Sequence, residues 1–275
     1  MAGQLSIAGN LVILLAMLTR QGKLVNATSR HTPPMPEKFP KDLQPLLNDL
    51  DTPSLKLLLQ SLYGLNPEVD SRITLGLKRH DHSEFAKLIK ARLSSIKRSK
   101  KFIDYREGAA FADNLQTLAD DIAAFGEYNP KLAFELFSAF MDSHPSVFNR
   151  ADDSNGYVGD VFRSGVTTWI RLARGYRATP GCRLDWLATI EALHLDNGYG
   201  AWDSLICNSL GLLSEDELHT LSKRFERHLA KFLQSDANNN PTHRFNVQTI
   251  QFSTGLSAVA QALKNVSLYE RAVLW

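Results

Sequence analysis

Cysteine is nearly absent: Cys182 and Cys207 are the only two in 275 residues. That excludes a disulfide-rich secreted scaffold and any zinc site built from cysteines alone. Long hydrophobic runs are missing too. The most apolar stretch, Leu11 to Leu18, is eight residues, whereas a spanning helix needs about 20. Extending it back to Leu5 adds interruptions at Ser6, Gly9 and Asn10. No Lys or Arg precedes Leu11, and Arg20, Lys23 and Arg30 follow it, the reverse of a signal peptide's charge order. No membrane span is expected; the stretch reads as a helix packed on this chain or docked on a partner. Charge of one sign is also lacking. A net charge of +2 argues against a strongly cationic DNA-coating protein and against an acidic tail protein. No long β-branched run alternates with period two, so strands are not expected.

What is present points to helices. Apolar residues make up 44% of the chain, enough for a sizeable core without staples. Pro33, Pro34, Pro36 and Pro40 break helix in quick succession. Residues 1–40 therefore read as an apolar N-terminal segment with a Pro-rich linker, and 41–275 as the main domain, with 1–34 adding little to the fold. Thr52-Pro53, Asn66-Pro67, Asn129-Pro130 and Asn240-Pro241 each set a capping side chain before proline, which is tolerated in the first helical turn. Ser214-Glu215-Asp216-Glu217 is a capping box. Phe85, Leu88, Ile89, Leu93 and Ile96 form one helical stripe; Phe111, Leu115, Leu118 and Ile122 form another. Helices are expected near 5–19, 41–50, 53–63, 67–78, 83–97, 105–125, 130–148, 157–175, 183–194, 201–212, 215–234, 242–263 and 266–275. Short connections favour antiparallel neighbours. The expected fold is all-α: stacked antiparallel helical hairpins in a solenoid-like α-α superhelix, without a repeated sequence signature. Leu268, Ala272 and Val273 are expected to share a face that stops in mid-pattern at Trp275, an incomplete edge.

Few residues carry chemistry by their spacing. Residues 78–106 hold ten Lys or Arg against three acids, and 107–160 hold ten acids against two bases. Lys87, Lys90, Lys97 and Lys101 sit at helical spacing opposite the Phe85 stripe, a face able to track phosphates. The preferred reading is a solvated face paired with its acidic neighbour, and no aromatic is seen to interleave with the lysines for base stacking. Asp153-Ser154-Asn155-Gly156 hints at a calcium loop, but Ala151 and Phe162 stand where ligands are needed. It reads as a cap, with Ser154 or Asn155 starting a helix and Gly156 allowing the turn. Asn197-Gly198-Tyr199-Gly200 is a tight turn, with Tyr199 and Trp202 read as packing rather than a ligand clamp. His80-Asp81-His82 lacks metal-ligand spacing, Cys207 has no evident partner histidine, and nothing places two carboxylates in one pocket. No catalytic residue, metal or cofactor is expected.

Three segments carry a resemblance: Ile96 to Asp104 with Tyr105, Arg106, Asn114, Leu115 and Leu118; Asp152 to Phe162; and Asp196 to Ile206. In order and separation they resemble the bacterial DUF6880 family of unknown function. The resemblance implies an all-helical, superhelix-like domain over about 50–275 and no established activity. A zinc finger carried by some members has no cysteines here to build it. If neighbouring helices alternate in direction, loops 98–104, 149–155, 195–200 and 235–241 share one edge, opposite turns 126–129, 176–182 and 213–214. The candidate binding residues are Lys97, Arg98, Lys100, Lys101, Asp152, Asp153, Asn197, Tyr199 and Trp202. The expected role is a non-catalytic scaffold or protein-interaction module in the cytoplasm, with another protein as partner. The alternative is a nucleic-acid-associated protein using the basic face at 87–101.

Overall fold

Side chains that accept from the third residue ahead set the helix starts. Asn66 accepts from the Val69 amide at 2.9 Å, Asn129 from Leu132 at 3.0 Å and Asn265 from Leu268 at 3.0 Å. Before Pro53 the cap is Asp51, accepting from Ser54 at 2.9 Å, and not the expected Thr52. The structure, a computed structural model, describes residues 42–236 and 247–274. The expected helix at 5–19, the boundary at residue 40 and the Asn240-Pro241 cap lie outside the described residues.

The described residues form α1 (Leu43–Asn48), α2 (Thr52–Leu62), α3 (Pro67–Leu77), α4 (His82–Arg98), α5 (Gly108–Phe125), α6 (Pro130–Met141), α7 (His144–Phe148), α8 (Tyr157–Arg177), α9 (Trp186–Leu195), α10 (Glu215–Asp236), α11 (Val247–Ala262) and α12 (Val266–Val273). Among them the only β-type pairings are the isolated bridges Ile103–Ala151 and Leu210–Leu213. The fold is all-α. Contacts divide the chain into two units at Phe85/Ala86, inside α4. In the first unit, Val69 and Ile73 of α3 are buried with Leu59 and Leu62 of α2 against them.

In the second unit α6 and α8 run antiparallel. Phe134 meets Trp169 at 5.2 Å between ring centroids, and Phe140 meets Phe162 at 5.3 Å, so rising numbers on one helix meet falling numbers on the other. Gly165 permits the approach, since a Cβ there would stand 2.9 Å from the Met141 sulfur. α5 packs on both. α10 and α11 are likewise antiparallel: Phe225 meets the Gly255 position, and His228 stacks on Phe252 at 4.6 Å. His194 of α9 contacts the Gln251 carbonyl of α11 at 2.8 Å. Leu268 and Ala272 of α12 are buried, but Val273 is 67% exposed and does not share their face.

Two expected helices are corrected. The one at 130–148 breaks at Asp142-Ser143. Pro145 has no N–H to give the Met141 carbonyl, and His144 Nδ1 meets that carbonyl instead at 2.9 Å. The one at 201–212 is a run of turns. Trp202, Leu205 and Ile206 are buried as the period suggested. However, Gly200 and Gly211 have φ of +71° and +90°, and Asn208 and Ser209 turn their side chains back onto the Ser204 and Ile206 carbonyls. Side chains that bond locally compete with the helical ladder.

The capping box at α10 forms: Ser214 Oγ accepts from the Glu217 amide at 3.2 Å, and Glu217 accepts from the Ser214 amide at 2.7 Å. Arg177 of α8 grips both oxygens of Glu217, at 3.2 and 3.0 Å. Burial pushes the Glu217 carboxyl up, but the bonds from Arg177 and Ser214 outweigh it and hold the group below its ordinary value. The charged form is thus favoured by folding, and this stability is present at neutral pH and lost as pH falls through the folded-state value. Glu217→Gln is expected to cost about 1 kcal/mol at neutral pH. The gap to wild type should close on acidification below about pH 4, as read from urea melts over a pH series.

Candidate functional site

The three motif loops meet on one edge of the second unit. Ile103 donates to the Arg150 carbonyl at 2.8 Å, and Asp152 donates to the Ile103 carbonyl at 2.9 Å, which closes the Ile103–Ala151 bridge. Buried Arg150 adds a clamp: its guanidinium reaches the Lys101 carbonyl at 3.1 Å and the Ile96 carbonyl at 3.4 Å, and lies 5.0 Å over the Phe111 ring. Burial lowers the Arg150 pKa, yet a guanidinium keeps its charge in proteins. The third loop joins through Tyr199, which stacks on Phe148 at 5.2 Å and donates to Asn149 at 2.6 Å. At the opposite edge Arg177 bonds the Leu212 carbonyl at 2.5 Å, and a Cβ on Gly126 would press on Leu172. Residues 237–241 of the fourth loop lie outside the described residues.

The clamp fixes a basic, aromatic run. Ile103 is buried, while Phe102 and Tyr105 on either side are 61% and 59% exposed. Lys97, Arg98, Lys100 and Lys101 are all exposed beside them. No aromatic lies among residues 87–101 themselves, and Phe102 and Tyr105 follow Lys101 in the chain. Lys101 pairs with Glu107 at 2.7 Å, not with Asp152 or Asp153. Arg98 Nε donates to the Ser94 carbonyl at 3.2 Å. The acidic neighbour is met further along α4, where Arg92 stands 3.8 Å from buried Asp121.

The acidic candidates are engaged locally. Asp153 accepts from the Val158 and Gly159 amides at 2.8 and 2.9 Å, and Asn155 accepts from the Tyr157 amide at 3.2 Å, so the two share the cap of α8 and Ser154 takes no part in it. Gly156 at φ +77° makes the turn. Asp152 accepts from the Ser154 hydroxyl and amide, and those bonds hold its carboxyl below the ordinary value. Partial desolvation raises the Asp142 carboxyl, while nearby Lys97 and His144 pull it down and Asp196 adds to the rise. Asn197 accepts from the Trp202 amide at 3.0 Å and donates to Asp203 at 2.6 Å. Trp202, only 2% exposed, stands 5.5 Å from Trp169 and belongs to the core.

The edge thus gathers Lys97, Arg98, Lys100, Lys101, Asp152, Asp153, Asn197 and Tyr199, and leaves out Trp202. Sequence reasoning missed Phe102, Tyr105, Asn149 and Arg150. One signal was available, since Arg150 is one of only two bases in the acidic stretch 107–160. Burial pushes the Cys207 thiol up, opposite to what a nucleophile needs. Among the described residues no group of three His, Cys, Asp or Glu is placed to hold a metal, and no helix is long and apolar enough to cross a membrane.

Fold and edge together define an all-α protein with a rigid, basic and aromatic loop edge. Residues 45–268 match the family of unknown function DUF6880, and the chain belongs to that family. No curated protein and no solved structure matches it.

Proposed function

We propose that the chain is a non-catalytic helical interaction module, with residues 41–275 as the binding domain, and that its partner docks on the edge where the three loops meet. The observation carrying this reading is the exposure of Phe102 and Tyr105 on a loop pinned by Arg150. A rigid scaffold presenting fixed side chains from loops is the usual build of a binding site. Exposed aromatics beside cations are what a partner's buried anchor residues meet. The two free cysteines suit a reducing compartment, in keeping with a cytoplasmic role. A protein partner is the first reading. Nucleic acid is the second, favoured by the same exposed rings following Lys100 and Lys101 in the chain.

Affinity capture from the native host tests the edge. The triple variant Lys100→Glu, Lys101→Glu, Tyr199→Ala changes exposed edge residues, and Lys223→Glu with Lys231→Glu changes exposed residues of α10 as a control. Partners held by wild type and control but lost by the triple variant support the proposal. Equal capture by all three contradicts it.

A further inference from the structure

The run from Lys97 to Tyr105 sets exposed aromatic side chains next to exposed cations in the chain. Backbone bonds to Arg150 and Asp152 hold the buried Ile103 in place, with exposed Phe102 before it and exposed Tyr105 after it. Phe102 and Tyr105 are each about six-tenths exposed although hydrophobic ring surface is costly to leave in water. Asp104 is turned to its own backbone, accepting from the Arg106 and Glu107 amides at 2.7 and 3.1 Å. Glu107 is paired with Lys101. Exposed in this run are the side chains of Phe102 and Tyr105 and, a few positions before them, those of Lys97, Arg98 and Lys100.

We propose that this segment binds single-stranded nucleic acid, with bases stacked on Phe102 and Tyr105 and phosphates met by Lys97, Arg98 and Lys100. The proposal rests on the loop edge of the interaction-module reading and develops the second of its two partner classes, nucleic acid. Stacking platforms set within positive charge hold single strands whatever their sequence, because every base has a π-face. A duplex offers no free base face to a ring on a loop, since its bases already stack on one another. An acidic segment without aromatic side chains would satisfy the cations but offers no flat face to the exposed rings of Phe102 and Tyr105.

The test uses the full chain and fluorescence anisotropy. The probes are a labelled oligo(dT) of about 12 nucleotides, an abasic strand of the same length, a duplex and a polyglutamate peptide. At about 50 mM salt the base-bearing strand should bind about 10-fold or more tighter than the abasic one. Log affinity against log salt should fall with a slope of about −2 for three phosphates. The double variant Phe102→Ala, Tyr105→Ala should lose the preference for bases and keep the salt slope. Both side chains are exposed, and an unchanged melting curve confirms that the fold is intact. Equal binding of abasic and base-bearing strands, tighter binding of the duplex, or no binding at low salt overturns the proposal. Binding of polyglutamate alone, or capture of a protein through the edge by a chain that binds no strand, overturns it while leaving the interaction-module reading standing. Failure of both capture and strand binding overturns both.

Discussion

Trp169→Ala is expected to lower the unfolding free energy by about 3–5 kcal/mol. Trp169 is 1% exposed and is the ring on which α6, α8, α9 and the turn run after Gly200 converge. Phe134 lies 5.2 Å from it, Trp202 5.5 Å and Trp186 6.3 Å between centroids. Its indole N–H donates to Ser138 Oγ at 2.9 Å. Truncation removes the ring's transfer free energy and leaves a cavity walled by large aromatics that have little freedom to collapse. Trp169→Phe keeps most of the volume and should cost about 1–3 kcal/mol, the share of the lost bond and of the residual gap. Urea melts check both: the midpoint falls in the order wild type, Phe, Ala, with little change in slope. A Trp169→Ala midpoint within error of wild type would place the core elsewhere.

Arg150→Ala is the second large effect, at about 2–4 kcal/mol. It removes two charge-assisted bonds and the contact over Phe111, and it leaves the Ile96 and Lys101 carbonyls without the donor that the fold supplies. Arg150→Lys keeps the charge but has no planar fork to reach both carbonyls, so it should recover only part of the loss. The distinguishing expectation is local. Both variants should loosen the loop carrying Phe102 and Tyr105 more than they loosen α10 and α11, which lie away from the clamp.

The helix starts were legible because they are local: an Asn or Asp followed by proline dictates its own cap within three residues, as at Asn66 and Asn129. The gathering of three loops on one edge followed from short connections and alternating direction of the long helices, as in the antiparallel pair α6 and α8, with the short α7 lying within the connection between them. What the sequence concealed is non-local. Phe102 and Tyr105 face solvent because Ile103 is pinned to Arg150, almost fifty positions away, and no window around the lysines contains that information. Trp202 looked like a candidate beside Tyr199, but its neighbour Trp169 comes from another helix and draws it into the core. The turn run at 201–212 shows the opposite failure. Its apolar spacing fits a helix, and only the competing Asn and Ser side chains and the positive φ at Gly200 and Gly211 decide against one.

The central claim is that three separated segments form one preorganised edge held by Arg150. Hydrogen exchange by mass spectrometry on the full chain, wild type against Arg150→Ala, tests it most directly. In wild type, peptides covering Ile103 and Asp152 should be protected well beyond the rates of an unfolded chain, because both amides donate across the bridge. In Arg150→Ala that protection should drop in both peptides together, with α10 and α11 unchanged. Exchange at unfolded-chain rates in wild type, or loss of protection at one peptide while the other is unaffected, would contradict the account.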